Sequence, residues 1–96
     1  MEYAIKDIAQ IIKATTNQLH DDTISILLTD SRRLSFPEKS LFFALTTKTN
    51  DGHKFIPELY NLRVRNFVVS EMLPEFHQLE GANFLIVKDP LRALQK

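Results

Sequence analysis

Leu41-Phe42-Phe43-Ala44-Leu45 is an unbroken apolar run, and Thr46-Thr47-Lys48-Thr49-Asn50-Asp51-Gly52-His53-Lys54-Phe55-Ile56 follows it directly. An apolar run without polar alternation predicts a strand over residues 41–46 that is buried on both faces. The polar residues that follow predict a loop over 47–54. Phe55, Ile56, Leu59 and Tyr60 then recur at helical spacing, and Pro57 falls where a first helical turn tolerates it. Strand, polar loop and helix in that order belong to an α/β layer structure.

The pattern extends in both directions. Upstream, residues 23–29 predict a strand with Ile24, Ile26 and Leu28 on one face, ending in Thr29-Asp30-Ser31-Arg32-Arg33-Leu34. Residues 30–40 form a loop, because Pro37 cannot serve a central ladder. Ile5, Ile8, Ala9 and Ile12 predict a helix over 5–14, with Asp7 near its positive end, and 17–22 is a polar turn. Downstream, residues 66–70 predict a strand and 71–83 an irregular stretch with one short helical turn. Residues 84–87 predict the last strand, and Asp89-Pro90 the cap and first residue of a new helix. The expected fold is α/β, a small sheet of about four strands with flanking helices. Its two polar loops end two neighbouring strands, where an open α/β sheet binds its ligand.

Ninety-six residues make one small domain. Twelve basic residues balance twelve acidic ones, so charge gives no reason to expect nucleic acid or an acidic membrane as partner. Cysteine is absent, which removes disulfides and thiolate metal sites and fits a reducing cytosol. No apolar run reaches membrane-spanning length, and Met1-Glu2-Tyr3 does not open a signal peptide. The sequence closes at Leu94-Gln95-Lys96 inside a helical pattern, so a longer protein is expected.

Chemistry concentrates in the two loops. Ser31, just past a strand end, offers a hydroxyl to a carbonyl or phosphate; Asp30-Ser31 is equally a simple turn. Arg32 suits either a bidentate grip on a diphosphate or a tie to Asp30 or Asp51. Thr46, Thr47, Lys48, Thr49 and Asn50 supply a dense set of hydrogen-bonding groups, or else a solvated loop. No glycine precedes Lys48 at the spacing of a phosphate-binding Walker loop. Asp51, Gly52 and His53 read as scaffold: a side-chain cap for the next helix around a glycine turn. A general base formed by His53 and oriented by Asp51 is the weaker alternative, since no nucleophile accompanies it. His20, His53 and His77 lack metal-ligand spacing. Phe36, Phe42, Phe43 and Phe55 read as core, one of them available to a ring face.

The order strand, Asp30-Ser31-Arg32, Leu41-Phe42-Phe43-Ala44-Leu45, Asp51-Gly52-His53-Lys54-Phe55-Ile56, helix, Asn66-Phe67-Val68-Val69-Ser70 resembles the N-terminal domain of the Mur ligases, the amide-forming enzymes of peptidoglycan assembly. The resemblance covers nearly the whole chain. It implies that residues 1–88 grip the uridine diphosphate (UDP) end of a UDP-N-acetylmuramoyl-peptide. Residues 89–96 would begin the linker to a central domain that holds ATP and Mg, leaving this domain without a cofactor. It further implies that Ser31 contacts the uracil or ribose, that the Thr46-Thr47-Lys48-Thr49-Asn50 segment lies beside the base with Lys48, Thr49 and Asn50 as uridine neighbours, and that the whole enzyme is cytoplasmic; Arg32 stays open between the diphosphate and a structural tie. Within the family the likeness is strongest to members adding D-alanyl-D-alanine, then to those adding the third amino acid. Arg32-Arg33-Leu34-Ser35-Phe36-Pro37-Glu38 is similar to forms fused to an alanine racemase. Two positions depart from the family: Thr47 stands where a glycine is frequent, and Arg63 or a rearranged Asn61-Leu62-Arg63 turn replaces a second one, with Asn61 a candidate for the left-handed residue. The reading from another class is a stand-alone α/β interaction module whose loops are only solvated.

Overall fold

The computed structural model describes residues 2–16, 19–49 and 51–95. Its centre is a four-stranded parallel sheet in the order β3 (Ile26–Leu28), β4 (Ser40–Phe43), β5 (Asn66–Val69), β6 (Asn83–Ile86). Every residue of β4 and β5 is buried, as expected for parallel strands covered on both sides. The alternation of side chains splits the core in two. Leu41, Phe43, Val68 and Leu85 face α1 (Ile5–Ile11) and α3 (Pro90–Leu94). Phe42, Ala44, Phe67 and Val69 face α2 (Ile56–Asn61) and a 3₁₀ turn over Pro74–Gln78, the short turn expected in the irregular stretch. Phe42, Phe67 and Phe84 occupy matched positions on neighbouring strands and continue through Phe76 as a row of ring contacts.

The expected strand over 23–29 is two strands. β2 (Thr23–Ile24) pairs antiparallel with β1 (Tyr3–Ala4), and β3 pairs with β4. Between them the Ser25 N–H donates to the Lys39 carbonyl at 3.0 Å. The break separates Ile24 and Leu28, which pack in opposite halves of the core rather than on one face. Thr15 forms a bridge to Ile86 and covers the outer edge of β6.

Helix α1 stops at Ile11, short of the expected residue 14. Lys13 takes φ 57°, its N–H donates to the Gln10 carbonyl, and the Ala14 N–H donates to the Ala9 carbonyl. Helix α2 ends the same way: Arg63 takes φ 81°, with Arg63 to Tyr60 and Val64 to Leu59 bonds. Both are Schellman caps with a cation at the position that glycine favours. Arg63, not Asn61, is the left-handed residue. Helix α3 begins as expected, with the Asp89 carboxylate accepting from the Leu91 and Arg92 N–H groups.

At the N-terminal ends of the strands, buried Asn66 and Asn83 are in register. Asn83 Nδ2 donates to Asn66 Oδ1 at 2.8 Å and to the His20 carbonyl at 2.9 Å, while its own Oδ1 accepts from the His20 N–H. Asn66 Nδ2 donates to Asp22 at 2.8 Å. The two amides satisfy each other and tie the 20–22 segment to the sheet, as buried polar groups require.

Thermal melts will separate these contributions. Phe43→Ala, at a site 2 % exposed, should cost about 3–5 kcal/mol. Lys13→Gly and Arg63→Gly should each raise stability by about 0.5–1 kcal/mol, by relieving the left-handed backbone of a residue with a Cβ. Destabilisation by both glycines would contradict the assignment of those caps.

Candidate functional site

The two loops singled out in the sequence meet beyond the C-terminal ends of β3 and β4. The first begins at Thr29 and turns through a 3₁₀ segment, Ser31–Arg33, capped by the Asp30 carboxylate accepting from the Arg32 N–H at 3.0 Å. The second leaves β4 through Ala44 and Leu45, and returns at Asp51, which bridges to Thr46. Between them lies a cavity of about 500 Å³ lined by Thr29, Asp30, Arg32, Leu45, Thr47, Gly52 and Phe55. A larger hollow of about 660 Å³ opens at the other edge of the sheet, against Thr15, His20, Met72, Phe76, Phe84 and Ile86 among others. The smaller cavity is the better candidate, because residues from two strand ends converge on it with a carboxylate, a guanidinium and a hydroxyl.

Arg32 is tied to Asp30: Nε donates to Oδ1 at 3.1 Å and Nη2 to Oδ2 at 3.0 Å. The Arg32 side chain is 88 % exposed, so this pair adds little stability. The Arg32 guanidinium, bonded to the Asp30 carboxylate, holds that carboxyl below its usual range, and the partnership raises Arg32 in turn. Arg32 spends two of its five N–H groups on Asp30, and the fork keeps donors for an anion.

Thr47 lines the cavity, whereas Thr46, Lys48 and Thr49 are exposed loop residues that do not. Asn50 and the side chain of Ser31 lie outside the described residues. Phe55, one of the four phenylalanines left open to a ring face, is a wall of the cavity, and Thr29 and Leu45 are walls that the sequence did not single out as ligand neighbours. Thr29 and Leu45 sit at strand ends beside the loops, which is the signal that could have marked them. Phe42 and Phe43 are core, as expected, but Phe36 is 72 % exposed and so is not a core residue. The left-handed backbone of Phe36, φ 49° just before Pro37, turns its ring out of the fold.

Asp51, Gly52 and His53 are each tied into the fold. The Asp51 carboxylate caps the turn by accepting from the His53 N–H at 3.0 Å, and its Oδ1 also takes the Thr46 hydroxyl at 3.3 Å. The Gly52 N–H donates to the Leu45 carbonyl at 2.8 Å. Gly52 is required for close approach rather than for a left-handed turn: a Cβ there would lie 2.9 Å from Leu45 N and 3.0 Å from Ala44 Cα. His53 is 2 % exposed, with Nδ1 2.6 Å from Asp51 and Nε2 accepting from the Ser70 N–H at 3.1 Å. Both ring nitrogens are engaged, which argues against a general base.

Two outcomes test this scaffold. Gly52→Ala should destabilise by about 1–3 kcal/mol, because backbone rather than a flexible side chain must give way. The His53 N–H, then the His53 imidazole, hold the Asp51 carboxyl below its ordinary value. A carboxyl depressed on folding contributes stability above its unfolded pKa of about 3.9, and that stability is lost as pH falls through the folded value. Asp51→Asn should therefore flatten the fall in melting temperature at pH values below about 4. An unchanged acid limb would contradict it.

No protein-family model matches the sequence, and no curated protein matches it. Solved structures do match the fold. Two crystal structures of MurF from Acinetobacter baumannii superpose with TM-scores of 0.81 and 0.77 at 21% and 20% identity. A structure of UDP-N-acetylmuramoylalanyl-D-glutamyl-2,6-diaminopimelate--D-alanyl-D-alanyl ligase from the same organism gives 0.82 at 21%. Each match covers 98% of this chain and 20% of the other, so the chain spans one fifth of the length of those proteins. The chain has the α/β fold of the Mur ligase N-terminal domain, as MurF builds it.

Proposed function

We propose that this chain is the substrate-recognition domain of an ATP-dependent, amide-forming ligase of peptidoglycan assembly, and that it holds the UDP end of a UDP-N-acetylmuramoyl-peptide. The observation that carries the reading is the cavity between the Thr29–Arg33 and Leu45–Gly52 loops, in a fold shared with MurF. Phe55 and Leu45 offer apolar wall to a base, Thr47 a hydroxyl, and Arg32 a charged fork to the diphosphate. Ser31 and the Lys48–Asn50 tip are assigned to the same nucleotide. Residues 1–88 form the binding domain and 89–96 lead toward a central domain that carries ATP and Mg. The whole enzyme would be cytoplasmic and add D-alanyl-D-alanine; a ligase adding the third amino acid, or a form fused to alanine racemase, shares the same first domain.

In this reading the domain performs no bond chemistry. It contributes binding energy remote from the reacting carboxylate, and fixing one end of a long substrate lowers the entropic barrier at the other. Residues 1–96 alone should neither turn over ATP nor ligate.

An amide-resolved NMR titration tests the site. UDP should shift Thr29, Arg32 and Thr46–Thr49 more than any residue of α1. Arg32→Ala should weaken UDP about tenfold, by removing charge-assisted bonds, while changing stability by no more than about 0.5 kcal/mol. Shifts confined to α1, or none at millimolar UDP, would overturn the assignment. A markedly lowered melting temperature with unchanged UDP affinity in Arg32→Ala would make Arg32 a structural tie.

A further inference from the structure

His53 lines no part of the cavity, yet it is the only buried ionisable side chain among the described residues. Its ring is held on three sides. The Ser70 N–H, at the end of β5, points at Nε2 from 3.1 Å, with the Ser70 hydroxyl 3.3 Å from the same nitrogen. Asp51 Oδ1 lies 2.6 Å from Nδ1. Phe76 stacks on one face, 6.5 Å between centroids and 12° from parallel.

A backbone N–H can donate but never accept, so Nε2 must present a bare lone pair to Ser70. In a neutral imidazole the proton then sits on Nδ1, where it donates to Asp51. A proton on Nε2 would set donor against donor in a partly buried contact. Ser70 thus selects the tautomer, and Asp51 receives its consequence. The same Asp51 oxygen accepts from Thr46, at the start of the loop, and from the His53 N–H, at its end. One carboxylate oxygen therefore gathers both ends of the 46–51 loop, and the Nδ1 position is the closest of these groups to it, at 2.6 Å.

We propose that His53 is a positioning residue for the 46–51 loop: a neutral Nδ1–H imidazole, its tautomer chosen by Ser70, that places Asp51 and so the ligand-facing face of the loop. The proposal rests on reading that loop as part of the UDP site. Its first readouts need no ligand.

The experiment compares wild type, His53→Asn and His53→Gln. Asparagine places its NH₂ near the Nδ1 position and keeps a donor for Asp51 without any choice of tautomer. Glutamine reaches toward Ser70 and leaves Asp51 without its donor. Imidazole ¹⁵N spectra of wild type should show Nδ1 protonated and Nε2 bare. Hydrogen exchange at Gly52, whose N–H closes the loop onto Leu45, should accelerate about tenfold in His53→Gln and stay near wild type in His53→Asn. UDP affinity should fall with the same ordering. A wild-type ring protonated at Nε2 would overturn the proposal, and so would equal exchange in the two variants, whether both protected or both open. If a variant fails to fold, the wild-type tautomer decides. Failure of wild type to bind UDP would remove the proposed function, while the tautomer and the exchange ordering would still judge His53.

Discussion

Burial of β4 and β5 on both faces is the constraint from which the rest of the molecule follows. Leu41 and Phe43 press on α1 and α3, Phe42 and Ala44 on the opposite layer, and none of them can shift without opening a void. Void formation in a close-packed interior is costly, so the strand ends become fixed points. Gly52 then lies against the backbone of Ala44 and Leu45 at a distance that admits no side chain. The loop from Thr46 to Asp51 inherits its location from the sheet through backbone contact and the Asp51 carboxylate.

The two ends of the sheet are used differently. At the N-terminal ends, Asn66 and Asn83 bond each other and hold the 20–22 segment, and their hydrogen-bonding capacity goes into the fold. At the C-terminal ends of β3 and β4, carboxylate, guanidinium and hydroxyl groups stand around open space. That asymmetry is what an open parallel sheet provides for a ligand. The nucleotide site proposed here adds the chemistry of particular side chains to it, which fold likeness at 20–21% identity does not supply.

Much of the fold was legible because burial writes itself into composition. The unbroken apolar run 41–45 and the pair Phe67-Val68 have few alternatives to a central parallel strand. Asp89-Pro90 announced its helix through a carboxylate cap with a proline behind it. What was not legible depends on contacts remote in sequence or on backbone that residue type does not signal. Lys13 and Arg63 end two helices in a conformation that glycine usually marks. Ser25 breaks a plausible strand because its N–H is taken by Lys39, fourteen positions further along the chain. Phe36 looked like core and faces solvent. In the site, the loops were visible as polar stretches at strand ends. The Arg32 tie to Asp30, two positions away, was one of the two roles the sequence left open, whereas the Ser70 contact to His53 and the wall residues Thr29 and Leu45 needed the fold to bring them together.

The central claim is that uridine diphosphate occupies the cavity between the β3 and β4 loops. Intermolecular nuclear Overhauser contacts between UDP and methyl-labelled protein test it most directly. The account predicts contacts from uracil and ribose protons to the Thr47 and Leu45 methyls and the Phe55 ring, with Thr29 on the opposite wall. Contacts to Thr15, Met72 and Ile86 at the other edge of the sheet, or no contacts at saturating nucleotide, would contradict it.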